Sequence, residues 1–156
     1  PLRVVGNEDV ELAKKLGKDF LYRTTMQTNL VDGAIETLEY LKAQGHILSI
    51  ISNGFVEVQY TKLRRSGLIP YFANVFLSEE IGYQKPDIRF FQTVLDRLDA
   101  SSSECLVIGD NFQTDIQGAQ NANIRAVFYK NNADLSLNYE FMGQIIENLV
   151  EIKAIL

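Results

Sequence analysis

Leu106-Val107-Ile108 runs straight into Gly109-Asp110, and a second carboxylate, Asp115, follows five residues later. The pattern predicts a buried parallel strand that gives way to a helix through a loop carrying both acids. In open α/β sheets, ligands collect at the carboxyl ends of strands. Two hard oxygen donors there suit Mg²⁺, which takes one or two protein carboxylates and completes its octahedron with water and substrate phosphate. Asp110 is the firmer candidate ligand, because Gly109 allows a tight turn that presents the carboxylate at the strand tip. Asp115 could instead be a helix cap.

Two more segments carry polar groups of a matching kind. Ser52-Asn53-Gly54 follows the apolar run Ile47–Ile51 and offers a hydroxyl and several backbone N–H groups to an anion at a helix start. Taken alone it is an ordinary Asn-Gly turn with a cap. In Lys85-Pro86-Asp87, the proline restricts the residue before it to extended geometry and Asp87 caps the next helix. Lys85 therefore stands on a fairly rigid stalk, where its ammonium can neutralise phosphate as a point charge. Taken alone it is a solvated surface lysine. The signal lies in the combination, in one chain order on successive strand ends.

The elements that position these residues follow from periodicity. Leu12, Leu16 and Phe20 recur at a spacing of four and predict a helix from Glu8 to about Thr24, with a connector over Met26–Val31. Asp32 is the expected N-cap of a helix striped by Ile35, Leu38 and Leu41 and stopped at Gly45. Ile47–Ile51 is apolar apart from Ser49, as in a strand buried on both faces. Next come a helix from about Val56 to Arg65, a strand over Val75–Leu77, and a helix after Asp87 carrying Phe91, Val94, Leu95 and Leu98. The Leu106 strand, a helix from about Asp115 to Ala122, and a strand over Arg125–Tyr129 continue the alternation. After a polar segment, Asn131–Asn138, a last amphipathic helix is expected from about Gln144 to Ile155. Strands alternating with helices imply right-handed crossovers and a parallel α/β sheet with helices on both faces.

At 156 residues the chain is one ordinary domain in size, with 46% hydrophobic and 22% charged residues. A net charge of −5 gives no basic footprint for nucleic acid or anionic membrane. The single cysteine, Cys105, excludes an internal disulfide framework and reads as a small core residue. No apolar run reaches membrane-spanning length and the start lacks a signal-peptide layout, so a cytoplasmic location is expected. His46 lies between a helix stop and a strand and is expected at the surface. Phe55, Tyr60, Phe72, Phe90 and Phe91 read mostly as core, except Phe55, which follows the Ser52 loop and could touch a substrate.

From about Leu30 to the C-terminus the chain resembles the haloacid-dehalogenase-like hydrolase superfamily. Ser52 matches that superfamily's second motif, Lys85 its third, and Gly109-Asp110 with Asp115 its fourth. Ser66-Gly67-Leu68, Tyr71-Phe72 and Ser78-Glu79-Glu80-Ile81-Gly82 are similar as well. Ser52-Asn53-Gly54-Phe55 followed by Gln59 is most similar to the nucleoside 5′-monophosphate phosphatase branch. The resemblance implies a Mg²⁺-dependent phosphomonoester hydrolase acting through an aspartyl-phosphate on a small-molecule substrate, a nucleotide above all. It implies that Ser52, Asn53, Gly54 and Lys85 hold the phosphoryl group, that Asp110 ligates Mg²⁺, and that Asp115 is a further or outer ligand. Hydrolytic dehalogenases of the superfamily need no metal and typically lack the Gly-Asp pattern, so Asp110 argues against their chemistry.

The superfamily's first motif, Asp-x-Asp, supplies the nucleophile and general acid/base, and it occurs nowhere in this sequence. The implied Rossmann-like sheet of order 3-2-1-4-5 would then lack its central strand. Unpaired N–H and C=O groups along such a gap cost roughly 1–3 kcal/mol per buried group. The expected organisation is a C-terminal fragment: residues 1–28 the remnant of a helical cap, residues 29–156 an incomplete core. Such a chain is expected to be inactive alone, and either poorly folded or completed by a missing N-terminal segment. The alternatives are a phosphoglycolate or phosphosugar phosphatase, or a degenerate domain binding phosphate or a partner. A two-component receiver is disfavoured because Lys85 precedes Asp110.

Overall fold

The computed structural model describes residues 9–130 and 143–156. Its strands are all parallel and fall into two hydrogen-bonded sets. β1 (Ser49–Ser52) pairs with β2 (Asn74–Leu77), with Ile50 opposite Val75. β3 (Leu106–Gly109) pairs with β4 (Arg125–Tyr129), which pairs in turn with β5 (Gln144–Ile146). The α/β architecture expected from the alternating pattern is present, with an additional parallel strand, β5, outside β4.

Both sets of strands share the same core layers. On one face Ile51 of β1 and Val107 of β3 pack against a cluster built on Phe76, Phe90, Phe91, Phe112 and Ile116. On the other, Leu48, Leu106 and Ile108 meet Leu41, Val127, Ile146 and Ile152. Successive strand residues point to opposite faces, so the two sets are halves of one interrupted layer. The burial pattern marks the interruption. Every residue of β1 and β3 is only half-buried, whereas Leu77 in β2 and Val127 in β4 are fully buried. No hydrogen bonds join β1 to β3 among the described residues.

The helices cover both faces. α2 (Ala34–Ala43) follows the connector, α3 (Val56–Arg65) follows β1, and a single turn, α4 (Ser78–Ile81), follows β2. α5 (Ile88–Leu98) buries Phe90, Phe91 and Val94. Asp87 caps it as expected, accepting from the Arg89 N–H at 2.9 Å. Hydrogen bonds from the Arg89 guanidinium and backbone hold the Asp87 carboxyl at about 2, well below the usual range. α6 (Gly118–Asn121) lies against α5, and only glycine fits at its start. A Cβ on Gly118 would stand 2.6 Å from the Phe91 ring and 3.1 Å from the Pro86 Cα.

Four sequence expectations need correction. Asp32 is not the cap of α2: Gly33 occupies that position with φ 74°, and no side chain caps the helix. The strand expected over Ile47–Ile51 lies later, and Ile47 is 77% exposed. The helix expected from Asp115 begins earlier, as a π-helical turn over Phe112–Gln117 capped by Asn111, whose side chain accepts from the Thr114 N–H. The last helix is also wrong. Gln144–Ile146 pair with β4, and only Leu149–Ala154 coil, as a 3₁₀ helix with an Asn148/Glu151 capping box. The polar segment Asn131–Asn138 lies outside the described residues.

The first helix, α1 (Val10–Thr25), forms as expected and is capped by Asp9, but none of its residues is buried. Leu16 is 49% and Phe20 67% exposed. Arg65 of α3 ties its last turn to the core, donating to the Thr25 carbonyl at 3.3 Å and hydroxyl at 3.1 Å. His46 is exposed, as expected, and Phe90 and Phe91 are core. Among the described residues, no helix is long and apolar enough to cross a membrane.

Two measurements check the packing. Gly118→Ala is expected to lose about 1–3 kcal/mol of stability in urea unfolding, because the added methyl overpacks the Phe91–Pro86 contact. Cys105 packs at the edge of the main cluster, and desolvation, then the nearby Glu104 carboxylate, push its thiol pKa up. Its reaction with a disulfide reagent at pH 8 is therefore expected to be slower than that of a free cysteine peptide.

Candidate active site at the strand tips

Lys85 occupies the seam between the two halves of the sheet. Its ammonium donates to the Ile51 carbonyl at the end of β1 at 3.0 Å and to Asp115 Oδ1, in the turn after β3, at 2.7 Å. The pair is buried, with side-chain exposures of 9% and 10%. The Lys85-Pro86 peptide is cis. A charge-assisted bond in a dry site is short and strong, and it fixes the geometry of both loops.

Asp115 reaches this position because two features of the sequence allow it. The π turn rotates Asp115 and Ile116 inward together, and both are buried. Gly109 then lets the carboxylate lie on the strand: a Cβ there would stand 2.4 Å from the Asp115 Cβ. The role of Gly109 is thus close approach rather than the tight turn expected from the sequence. Asp115 Oδ2 accepts from the Asn111 N–H at 3.1 Å, and Oδ1 also takes the Thr114 hydroxyl at 3.3 Å. Both oxygens are engaged by the protein itself.

Asp110 differs in every respect. It is exposed, and its carboxylate takes no hydrogen bond or ion pair among the described residues. Nor does any group of three or more His, Cys, Asp or Glu side chains gather there for a metal. A closed, all-protein metal cage is therefore not built among the described residues. One open carboxylate on a strand tip does fit Mg²⁺, which keeps most of its coordination for water and phosphate oxygen.

The Ser52 loop is narrower than its sequence suggests. The Gly54 N–H donates to Ser52 Oγ at 3.0 Å, and the Val56 N–H, at the start of α3, donates to Glu79 at 2.9 Å. Two of the N–H groups expected to face an anion are thus occupied. Ser52 keeps its O–H to donate, since it only accepts from Gly54. Asn53 faces the Lys85 backbone: its Nδ2 donates to the Lys85 carbonyl at 2.9 Å and its Oδ1 accepts the Lys85 N–H at 2.9 Å. Phe55 is exposed, as expected for a residue outside the core.

The structure therefore brings Lys85, Asp115, Asn53 and the end of β1 into direct contact, with Ser52 adjacent in the chain to the contacted Ile51. It gives Asp110 no hydrogen bond or ion pair to them among the described residues. Sequence reasoning missed Glu79, Asn111 and Thr114. The Asn-x-x-Thr spacing at 111–114 is a readable cap signal, whereas nothing in the sequence couples Glu79 to Val56.

A parallel α/β domain with a hydroxyl, a buried lysine and carboxylates at its strand tips has the makings of a phosphoryl-handling fold. Residues 5–129 match the model of the haloacid dehalogenase-like hydrolase family, and the chain belongs to that family. YfnB of Bacillus subtilis, a HAD-hydrolase, is 42% identical over 96 residues, covering 61% of this chain and 40% of YfnB. A magnesium-bound crystal structure of YfnB superimposes with a TM-score of 0.84 at 31% identity, over 99% of this chain and 66% of that one. Pyrimidine 5′-nucleotidase PynA of Streptococcus pneumoniae is 35% identical over 115 residues, covering 73% of this chain and 48% of PynA. Glyceraldehyde 3-phosphate phosphatase of Methanothermobacter thermautotrophicus is 40% identical over 91 residues, covering 58% and 40%. The chain spans between about two fifths and one half of the length of these curated relatives.

Removing one partner of a buried ion pair leaves the other charge uncompensated. Asp115→Ala is accordingly expected to cost roughly 3–5 kcal/mol in denaturant unfolding. A loss comparable to that of an exposed pair such as Lys14–Glu11 would show that the seam does not depend on it.

Proposed function

We propose that this chain forms part of a Mg²⁺-dependent phosphomonoester hydrolase whose substrates are nucleoside 5′-monophosphates. The observation that carries the reading is the buried Lys85 ammonium, fixed at the tips of β1 and β3 by Ile51 and Asp115. A preorganised cation in a dry cleft stabilises charge on a transferring phosphoryl group at little reorganisation cost. Ser52 donates its hydroxyl to a phosphoryl oxygen. Asp110 holds Mg²⁺, and Asp115 acts behind it through its hold on Lys85 and on the Asn111 backbone. When bound, the metal neutralises phosphoryl charge and orients the phosphate.

The attacking carboxylate belongs to an Asp-x-Asp strand outside this sequence, and turnover passes through an aspartyl-phosphate. That strand pairs between β1 and β3. Their half-buried residues and unjoined edges support its placement there. Residues 1–28 belong to a helical cap and residues 29–156 to the core; the uncovered apolar side chains of α1 support this division. The nucleotide substrate rests on the Ser52-Asn53-Gly54-Phe55 and Gln59 pattern and on the similarity to PynA.

Protein that includes the completing strand is expected to release phosphate from pyrimidine nucleoside monophosphates with Mg²⁺ and not with EDTA. Asp110→Asn is expected to lower kcat/KM by about 10²–10³-fold. The 156-residue chain alone is expected to be inactive; Mg²⁺-dependent turnover by it would overturn the completing strand. A marked preference for glyceraldehyde 3-phosphate or phosphoserine would replace the nucleotide as substrate.

A further inference from the structure

Asn53 stands in the loop that would face substrate, yet its carboxamide is turned toward the protein. Both ends of the amide are used on one residue: Nδ2 donates to the Lys85 carbonyl and Oδ1 accepts the Lys85 N–H, each at 2.9 Å. This reciprocal pairing imitates the exchange between two strands, with a side chain in place of one backbone. It links the loop after β1 to the segment before α5. The partners are not near in sequence, since 32 residues separate them.

Lys85 is consequently held at both ends. Asn53 fixes its backbone; Ile51 and Asp115 fix its ammonium. A lysine ammonium ends a flexible four-carbon stem, so holding the backbone as well as the ammonium narrows the positions it can sample. The backbone side is where fixation is needed, because Lys85 has no regular secondary structure and precedes the capped start of α5. A carboxamide suits this role, because it has a donor and an acceptor side by side and carries no charge to compete with Asp115 for the ammonium.

We infer that the Asn53 side chain is a positioning group that sets the ammonium of Lys85 between the two halves of the sheet, rather than a ligand of substrate. The inference rests on the phosphoryl-transfer reading for its kinetic consequence, but not for its structural one. A misplacement of about 1 Å at a catalytic group can lower a rate by about 10²-fold. Loss of a substrate contact would instead raise KM.

The test uses Asn53→Ala and Asn53→Asp; the second keeps an acceptor for the Lys85 N–H and loses the donor to its carbonyl. Reductive methylation followed by peptide mass spectrometry, run on the 156-residue chain where circular dichroism shows it folded and otherwise on protein that includes the completing strand, reads the exposure of the Lys85 amine, with exposed Lys18 as internal reference. Both variants are expected to raise Lys85 labelling severalfold, Asn53→Ala more than Asn53→Asp, with Lys18 unchanged. In the form of the protein that hydrolyses p-nitrophenyl phosphate, kcat is expected to fall about 10- to 100-fold with KM held. Unchanged Lys85 labelling overturns the inference, as does a raised KM with kcat intact. If wild-type protein shows no turnover in any form, the hydrolase reading fails, and labelling alone decides the role of Asn53. If Asn53→Ala does not fold, Asn53→Asp carries both measurements.

Discussion

The arrangement turns on one buried ion pair. Lys85 and Asp115 meet at 2.7 Å across the seam where β1 and β3 share no hydrogen bonds among the described residues. Burying two charges has a large desolvation cost, and it is offset only when geometry and supporting hydrogen bonds are good. Here Ile51 accepts from the ammonium, and Asn111 and Thr114 donate to the carboxylate. Several otherwise unrelated features follow from that requirement. Gly109 must lack a side chain, the chain after it must bulge into a π turn, and Lys85 must be presented from a fixed backbone. π turns of this kind recur at functional sites because they re-aim one side chain without breaking the helix.

The loop after β1 shows the same economy of polar groups. Several of the donors and acceptors that the sequence advertises as available have internal partners. Gly54 closes onto Ser52, Val56 onto Glu79, and Asn53 onto Lys85. Left without an internal partner among the described residues are the Ser52 O–H, the Asn53 and Phe55 N–H groups and the Asp110 carboxylate. A loop tied at these points is partly ordered before any ligand arrives, and preorganised polar groups lose little on binding.

Much of this was legible in the sequence because the relevant signals are local. The apolar run before Ser52, the Pro-Asp after Lys85 and the Gly-Asp after Ile108 each predict a strand tip or helix start from neighbouring residues. The failures came where tertiary pairing overrode local pattern. Ile145, Ile146, Leu149, Val150 and Ile152 carry helical spacing, yet the first two lie in β5 beside β4. The Asn148/Glu151 capping box, which restarts the coil there, was a readable sign that the helix could not begin at Gln144. Asp32 failed as a cap for a different reason: Gly33 takes the left-handed position that the chain needs to enter α2 against Val150. The engagement of Asp115 by Lys85 and the pairing of Asn53 with the Lys85 backbone were beyond sequence, since both depend on loops 30 or more residues apart.

α1 is clamped near one end. Arg65 grips the helix at Thr25, while its apolar side chains stay in the open along the rest of its length. Sixteen residues of α-helix extend roughly 24 Å from such a fulcrum. A swing of only about 10° at the arginine would carry the far tip roughly 4 Å sideways, by the same helical rise. Small adjustments of a single guanidinium thus become large displacements at a distance, and the residue that governs them sits on α3, the helix that begins just beyond the Ser52 loop.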